Sequence, residues 1–186
     1  MVNPTPQDIL LARRGDRLAF KRIVELCQPY VYALSCRFIA DRFEAEDITQ
    51  EAFVKLWRHL PNHKSEVKIS TWLYKVVTNL CFDYLKSSRH KAARQTHNAE
   101  LLHIAGENQE DDLHQREFHA MVLKAAETLK PKQRAIFILR DIEGVEMEEI
   151  ATIMEMSAGN VKSNLYYART NMQVLVKAWM KEDLKP

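Results

Sequence analysis

Glycine is scarce in this chain, with 4 in 186 residues, and prolines number only 6. Runs that alternate apolar and polar residues are equally few, so the chain lacks both the turn residues and the period-two pattern of strand-built folds. Cysteine is sparse too. Cys27, Cys36 and Cys81 lie in helical apolar contexts with no C-x-x-C spacing, which argues against a zinc site or disulfide framework and predicts buried thiols. An odd count suits a reducing compartment. No apolar run approaches a membrane span. Residues 1–6 lack the basic-then-apolar pattern of a secretory signal. The expectation is a cytoplasmic chain with no membrane insertion. A net charge of +2 is too small to attract nucleic acid by itself, so any such contact must come from local segregation of charge.

That segregation is present. Residues 66–94 carry six basic side chains against two acidic, whereas 100–117 carry six acidic against one basic. Apolar residues recur elsewhere at helical spacing, which predicts an all-α chain. The expected organisation is two helical modules, 1–94 and 113–186, joined by a flexible acidic linker over 95–112. In the first module a short helix over 6–14 should end at Gly15. A long one should follow from Asp16 through Phe38, kinked at Pro29. Another should run from about 43 to 60, stopped by Pro61. After a polar loop over 62–68, Ser70 is the expected N-cap of a helix reaching roughly residue 93.

The second module should begin near 113 and break at Lys130-Pro131, where proline suits a first helical turn. It should turn again over 141–145 and end in two helices separated by a short break. The first of these carries Glu148-Glu149-Ile150-Ala151-Thr152-Ile153-Met154. In the second, Val161, Leu165, Ala168, Met172 and Leu175 share one stripe, while Lys162, Ser163, Tyr166, Tyr167 and Thr170 lie opposite. Ser157 is placed to cap it. This is the pattern of a helix-turn-helix, whose second helix reads the major groove from its N-terminal end. It also suits any small helical bundle. The turn of such a motif often holds glycine, yet Glu155-Met156 stand there.

Two faces of the first module carry further signal. In the helix over 43–60, Ala45, Ile48, Ala52, Leu56 and Leu60 form the buried side, leaving Asp47, Gln50, Glu51, Val54 and Arg58 outside with Trp57 at the flank. An exposed valine and a tryptophan beside carboxylates suit a partner surface, although the i,i+4 pairs also fit an ordinary solvated face, on which single exposed apolar residues are normal. In the next helix Leu73, Val76, Val77, Leu80 and Tyr84 form the core stripe. Lys75, Asn79, Phe82, Lys86 and Arg89 line the other side. A phenylalanine within a basic and amide stripe suits phosphates and unstacked bases. The alternative is a solvated face with Phe82 tucked against a neighbouring element.

At these residues the chain resembles a known family. Ala45-Glu46-Asp47-Ile48-Thr49-Gln50-Glu51-Ala52-Phe53-Val54-Lys55-Leu56-Trp57, then Ser70-Thr71-Trp72-Leu73-Tyr74, then Asn79-Leu80-Cys81-Phe82-Asp83-Tyr84-Leu85-Lys86 look like the core-binding and promoter-melting segments of extracytoplasmic-function sigma factors. Leu129-Lys130-Pro131-Lys132-Gln133-Arg134, Glu149-Ile150-Ala151 and Gly159-Asn160-Val161-Lys162-Ser163 resemble their C-terminal promoter-binding domain. The resemblance implies a dissociable specificity subunit of bacterial RNA polymerase, not an enzyme, with no cofactor and no metal. Its partners would be the polymerase core, promoter DNA and an anti-sigma factor. Asp47, Gln50, Glu51, Val54, Trp57 and Arg58 would dock on the core. The loop 61–69 with Lys75, Asn79, Phe82, Lys86 and Arg89 would recognise and open the −10 element. Lys162, Ser163, Tyr166, Tyr167 and Thr170 would read the −35 element, where Asn164 and the Tyr166-Tyr167 pair replace positions that are commonly basic. The acidic linker would thread toward the RNA exit channel.

Two other classes compete. A helix-turn-helix regulator acting without core polymerase would explain the C-terminal module, but not the aromatic-basic stripe of the first. A helical metalloenzyme is suggested by Glu100-Leu101-Leu102-His103 and by His59 and His63. A carboxylate-bridged centre needs two Glu-x-x-His motifs, whereas this chain offers one, within the expected linker. Pro61 separates the two histidines, so they are expected at the surface rather than on one helical face.

Overall fold

Short polar side chains open the first three helices. Thr5 Oγ1 accepts from the Asp8 amide at 3.1 Å, and Asp16 Oδ1 from the Ala19 amide at 2.9 Å. Asp41 Oδ1 accepts from the amides of Phe43 and Glu44 at 2.9 and 3.2 Å. Each satisfies a donor that the helix itself cannot. The computed structural model describes residues 3–63, 67–87 and 113–182, and every regular element among these is helical. They fall into two compact units.

The first unit holds α1 (Pro6–Arg13), α2 (Arg17–Phe38), α3 (Arg42–His59) and α4 (Ile69–Lys86), with a 3-10 turn Leu60–Asn62 after α3. Gly15, at φ +90°, supplies the left-handed residue that lets the chain turn from α1 into α2. Across that turn the Arg22 guanidinium grips Asp8 Oδ1 at 2.6 and 2.8 Å. The Thr5 hydroxyl and this guanidinium hold the Asp8 carboxyl below its usual range. Helix α2 continues through Pro29.

Ile23, Cys27, Val31, Leu34 and Phe38 of α2 are buried, as are Ala45, Ile48, Ala52 and Leu56 of α3 and Leu73, Val77, Leu80 and Cys81 of α4. These are apolar positions at helical spacing, and each large one contributes about 1.5–3 kcal/mol by leaving water. Thr49 enters the same interior by donating to the Ala45 carbonyl at 2.8 Å and lying 3.3 Å from Ser35 Oγ. Burial pushes the thiols of Cys27 and Cys36 up, which keeps them protonated.

Helix α4 departs from expectation at both ends. Its N-cap is Lys68, with no side-chain cap bond, and Ser70 lies inside the helix, fully buried, its hydroxyl unpartnered. Burying Ile69 is worth about 1.5–3 kcal/mol against roughly 1 kcal/mol for a serine cap, so the helix starts earlier. It ends at Lys86 rather than near 93. There Ser87 donates to the Tyr84 carbonyl from both its amide, at 2.9 Å, and its hydroxyl, at 2.6 Å. The expected linker over 95–112 lies outside the described residues.

The second unit holds α5 (Leu113–Ala126), α6 (Pro131–Phe137), a π-turn Ile138–Ile142, α7 (Met147–Met154) and α8 (Ala158–Glu182). Pro131 occupies the first turn of α6. Ala125, Ala126 and Leu129 pack with Phe137, Ala168 and Met172, so α8 is held by its apolar stripe. Between α7 and α8 the chain turns at Glu155 itself, in the left-handed region at φ 51° and ψ 47°. No glycine is used, at a cost of about 1–2 kcal/mol. The Met156 amide closes the turn on the Ala151 carbonyl at 3.0 Å.

Candidate nucleic-acid interface

Helix α8 begins as its sequence indicates. Ser157 Oγ accepts from the Asn160 amide at 3.3 Å. Val161, Leu165, Ala168 and Met172 are buried, with Leu175 half-buried. Lys162, Ser163, Tyr166, Tyr167 and Thr170 are all exposed. The tyrosines stand 67% and 57% accessible, their rings edge to face at 5.6 Å. These five positions present one cation, two hydroxyl-tipped aromatics and two small hydroxyls to solvent. Lys162, Ser163 and the tyrosine hydroxyls can donate to phosphates and base edges while the rings give apolar contact; Thr170 donates to the Tyr166 carbonyl at 2.9 Å and can accept.

The next basic residue along α8 is spoken for. Arg169 Nε and Nη2 meet Asp141 Oδ2 and Oδ1 at 2.9 and 2.6 Å, and this bond raises the guanidinium further above its usual range. The pair ties α8 to the π-turn. Beside the reading face, Thr128, Lys130, Gln133, Asn164 and Asn171 join Ser163 and Tyr167 around a groove of about 530 Å³. Sequence reasoning did not place Lys130 or Asn171 beside the reading face. Asn171 was findable as i+4 from Tyr167, while Lys130 comes from another element and was not.

In the first unit, α3 exposes Asp47, Gln50, Glu51, Val54 and Arg58 as expected. Glu51 Oε1 pairs with Lys55 Nζ at 3.2 Å. Trp57 is half-buried, its ring 4.8 Å from that of Phe20 on α2. It therefore offers an edge rather than a free face.

The α4 stripe is less uniform than its spacing suggests. Asn79 and Lys86 are exposed, whereas Lys75 and Phe82 are half-buried. Phe82 lies edge-on against Phe38, with ring centroids 6.4 Å apart, because α2 ends beside it. Arg89 lies outside the described residues. The histidines need correction. Rather than lying at the surface, His63 is 4% exposed, and His59 stacks on Trp72 at 4.7 Å. Among the described residues no group of three or more His, Cys, Asp or Glu could hold a metal, and Glu100-Leu101-Leu102-His103 lies outside them.

Comparison with known proteins supplies the family. Residues 23–91 match Sigma-70 region 2, and residues 119–172 match Sigma-70 region 4. The ECF RNA polymerase sigma-E factor of Escherichia coli is 30% identical over 167 residues, 84% of this chain and 86% of that one. The chain belongs to the extracytoplasmic-function sigma factors.

The RNA polymerase sigma-H factor of Pseudomonas aeruginosa is 29% identical over 178 residues, covering 91% of this sigma factor and 92% of its relative. The fold is shared with sigma factor RpoE of Bartonella quintana, solved with the anti-sigma factor NepR, at TM-score 0.67 and 22% identity over 85% of this chain and 96% of that one. It is also shared with CnrH, solved with the cytosolic domain of CnrY, at TM-score 0.69 and 20% identity over 92% and 96%. The sigma factor is therefore an RNA polymerase specificity subunit of a family that binds core polymerase and promoter DNA and is non-enzymatic. A helix-turn-helix regulator acting without core polymerase is not favoured. Among the described residues no helix is long and apolar enough to cross a membrane.

Proposed function

We propose that three faces divide the work of initiation. The α3 surface of Asp47, Gln50, Glu51, Val54, Trp57 and Arg58 docks on core polymerase. On α4, Asn79 and Lys86, with Lys75 and Phe82, take the −10 strand as it leaves the duplex, helped by Arg89 and the loop 61–69. On α8, Lys162, Ser163, Tyr166, Tyr167 and Thr170 read the −35 element.

The observation that carries this reading is the division of α8, which is buried along Val161, Leu165, Ala168 and Met172 and exposed at all five reading positions. Lys162 adds electrostatic affinity there, and the tyrosines offer a hydroxyl on a rigid apolar ring. Melting costs a few kcal/mol per unstacked step, which alternative contacts must offset. Asn79 and Lys86 can supply an amide and a cation to the extruded strand, with the Phe82 edge beside them.

The expected boundaries are 1–94 for the −10 and core-binding domain and 113–186 for the −35 domain, with 95–112 as connector. The site of action is the cytoplasm. An anti-sigma factor is the expected antagonist, since RpoE of Bartonella quintana was solved with one. Adding the chain to core polymerase on fragmented genomic DNA should yield new transcripts with shared −10 and −35 elements. Tight operator binding without polymerase, and no new transcripts with it, would instead favour a stand-alone regulator.

A further inference from the structure

Where α3 meets α4 the chain builds an aromatic cluster at the N-terminal end of the −10 stripe. The His59 ring, at the last residue of α3, lies parallel to Trp72 with centroids 4.7 Å apart and planes at 11°. The His63 ring meets His59 edge-on at 5.5 Å and 77°. His63 is held from two sides, by its backbone amide donating to the Leu60 carbonyl at 3.1 Å and by its ring bonding to the Val67 backbone. Trp72 belongs to the first turn of α4. Counting along the helix, Trp72, Lys75, Asn79, Phe82 and Lys86 follow i, i+3, i+7, i+10, i+14, one continuous line on one face. The cluster is thus the N-terminal anchor of the stripe assigned to the −10 strand.

The start of α4 depends on such an anchor. Lys68 gives it no side-chain cap, and the contact of the Ser70 amide with Asn3 Oδ1 is long, at 3.4 Å. Packing holds the first turn, with Ile69, Ser70 and Thr71 buried and Trp72 stacked on His59. We propose that His63 is a positioning residue which, as an uncharged ring, braces the end of α3 against the start of α4 and so sets the aim of the −10 stripe. The inference rests on the assignment of α4 to the −10 strand.

A charged His63 does not fit this place. Burial disfavours the cation, His59 on α3 and Arg13 on α1 face it with like charge, and among the described residues the Val67 backbone bond favours it. Helix α4 contributes the uncharged Trp72, through His59. These effects hold the imidazole below its ordinary value. The released ring therefore takes up its proton first as pH falls. The brace is complete above the ordinary imidazole value, about 6.5, and is lost as pH drops below it toward the lowered one. A brace that admits only the neutral ring weakens about tenfold between roughly pH 7.5 and 5.5.

Two measurements on the full chain test this. The first is NMR of the histidine rings, the Trp72 indole and the Val67 amide over that pH range. Trp72 and Val67 should follow the His63 titration, and signals indifferent to it would overturn the brace whatever α4 binds. The second uses holoenzyme and a non-template −10 oligonucleotide from a promoter that it transcribes, compared with the same oligonucleotide carrying substituted −10 bases. The ratio of the two affinities cancels general effects of acid on polymerase. Wild type should lose part of this ratio toward pH 5.5, by no more than about tenfold. His63→Gln, which keeps an N–H for Val67 and never charges, should show a flat profile. His63→Phe keeps the aromatic bulk and should also be flat, so it serves if the glutamine variant fails to fold. A pH-dependent ratio in these variants would overturn the assignment to His63. NMR signals that follow His63 beside a flat wild-type ratio would overturn the link to recognition and point to a failure of the α4 assignment itself.

Discussion

Phe82 meets Phe38 edge-on, with ring centroids 6.4 Å apart and planes at 88°. The contact changes what the α4 stripe can do. A ring that packs on the end of α2 is not a free platform for a base, and it contributes both to the fold and to the face. Phe82→Ala should therefore lower stability by about 1–3 kcal/mol, less than the 3–5 kcal/mol of a wholly buried phenylalanine. Urea denaturation of the full chain measures it, and an unchanged midpoint would show the contact to be incidental.

Asn79 and Lys86 should behave in the opposite way. Both are exposed, so Asn79→Ala and Lys86→Ala should keep the melting temperature and the affinity for core polymerase while losing open-complex formation. The readout is permanganate reactivity of thymines in the −10 region. A pre-melted template should partly rescue both variants, because unstacking is then done in advance. Normal reactivity on duplex promoters would move the melting function elsewhere in the chain. As a control, Leu80→Ala should cost about 2–5 kcal/mol through the cavity it leaves.

On α8, Lys162→Ala should reduce −35 binding by about 1–3 kcal/mol if the ammonium reaches a base edge, or lower the salt slope by roughly one unit if it reaches phosphate. Titrations at several salt concentrations separate the two. Affinities unchanged at every salt for both Lys162→Ala and Tyr167→Ala would falsify this face as the reader.

Asp47→Lys and Glu51→Lys should weaken association with core polymerase without unfolding the chain, since both side chains are exposed on α3. For Glu51 the local loss is the Lys55 pair, worth about 0.3–0.5 kcal/mol in a helix. Co-purification with core at wild-type yield would rule out this docking face.

The Asp141–Arg169 pair predicts a different pattern. Asp141→Ala should cost at most about 1 kcal/mol, as expected for a partly exposed pair. Exchanging the two charges in one double variant should recover part of that loss. A double-mutant cycle with no coupling would reduce the pair to a surface coincidence.

What was readable in the chain was local. Asp16, Pro131 and Ser157 mark helix starts because capping and proline chemistry act within one turn. The buried and exposed sides of α3 and α8 follow from which positions are apolar at a period of 3.6. Those two facts were enough to place the α3 and α8 faces before any neighbour was known. Sequence alone misplaced whatever depended on an element arriving from elsewhere. Ser70 has the chemistry of a cap, yet Ile69 is drawn into the interior and starts the helix early. Phe82 sits at the border of its stripe, and only the end of α2 covers it. His63 reads as a surface residue beside Pro61 until His59, itself stacked on Trp72, closes over it. Periodicity tells a helix which side must leave water, but which border residues are covered depends on packing partners distant in the chain.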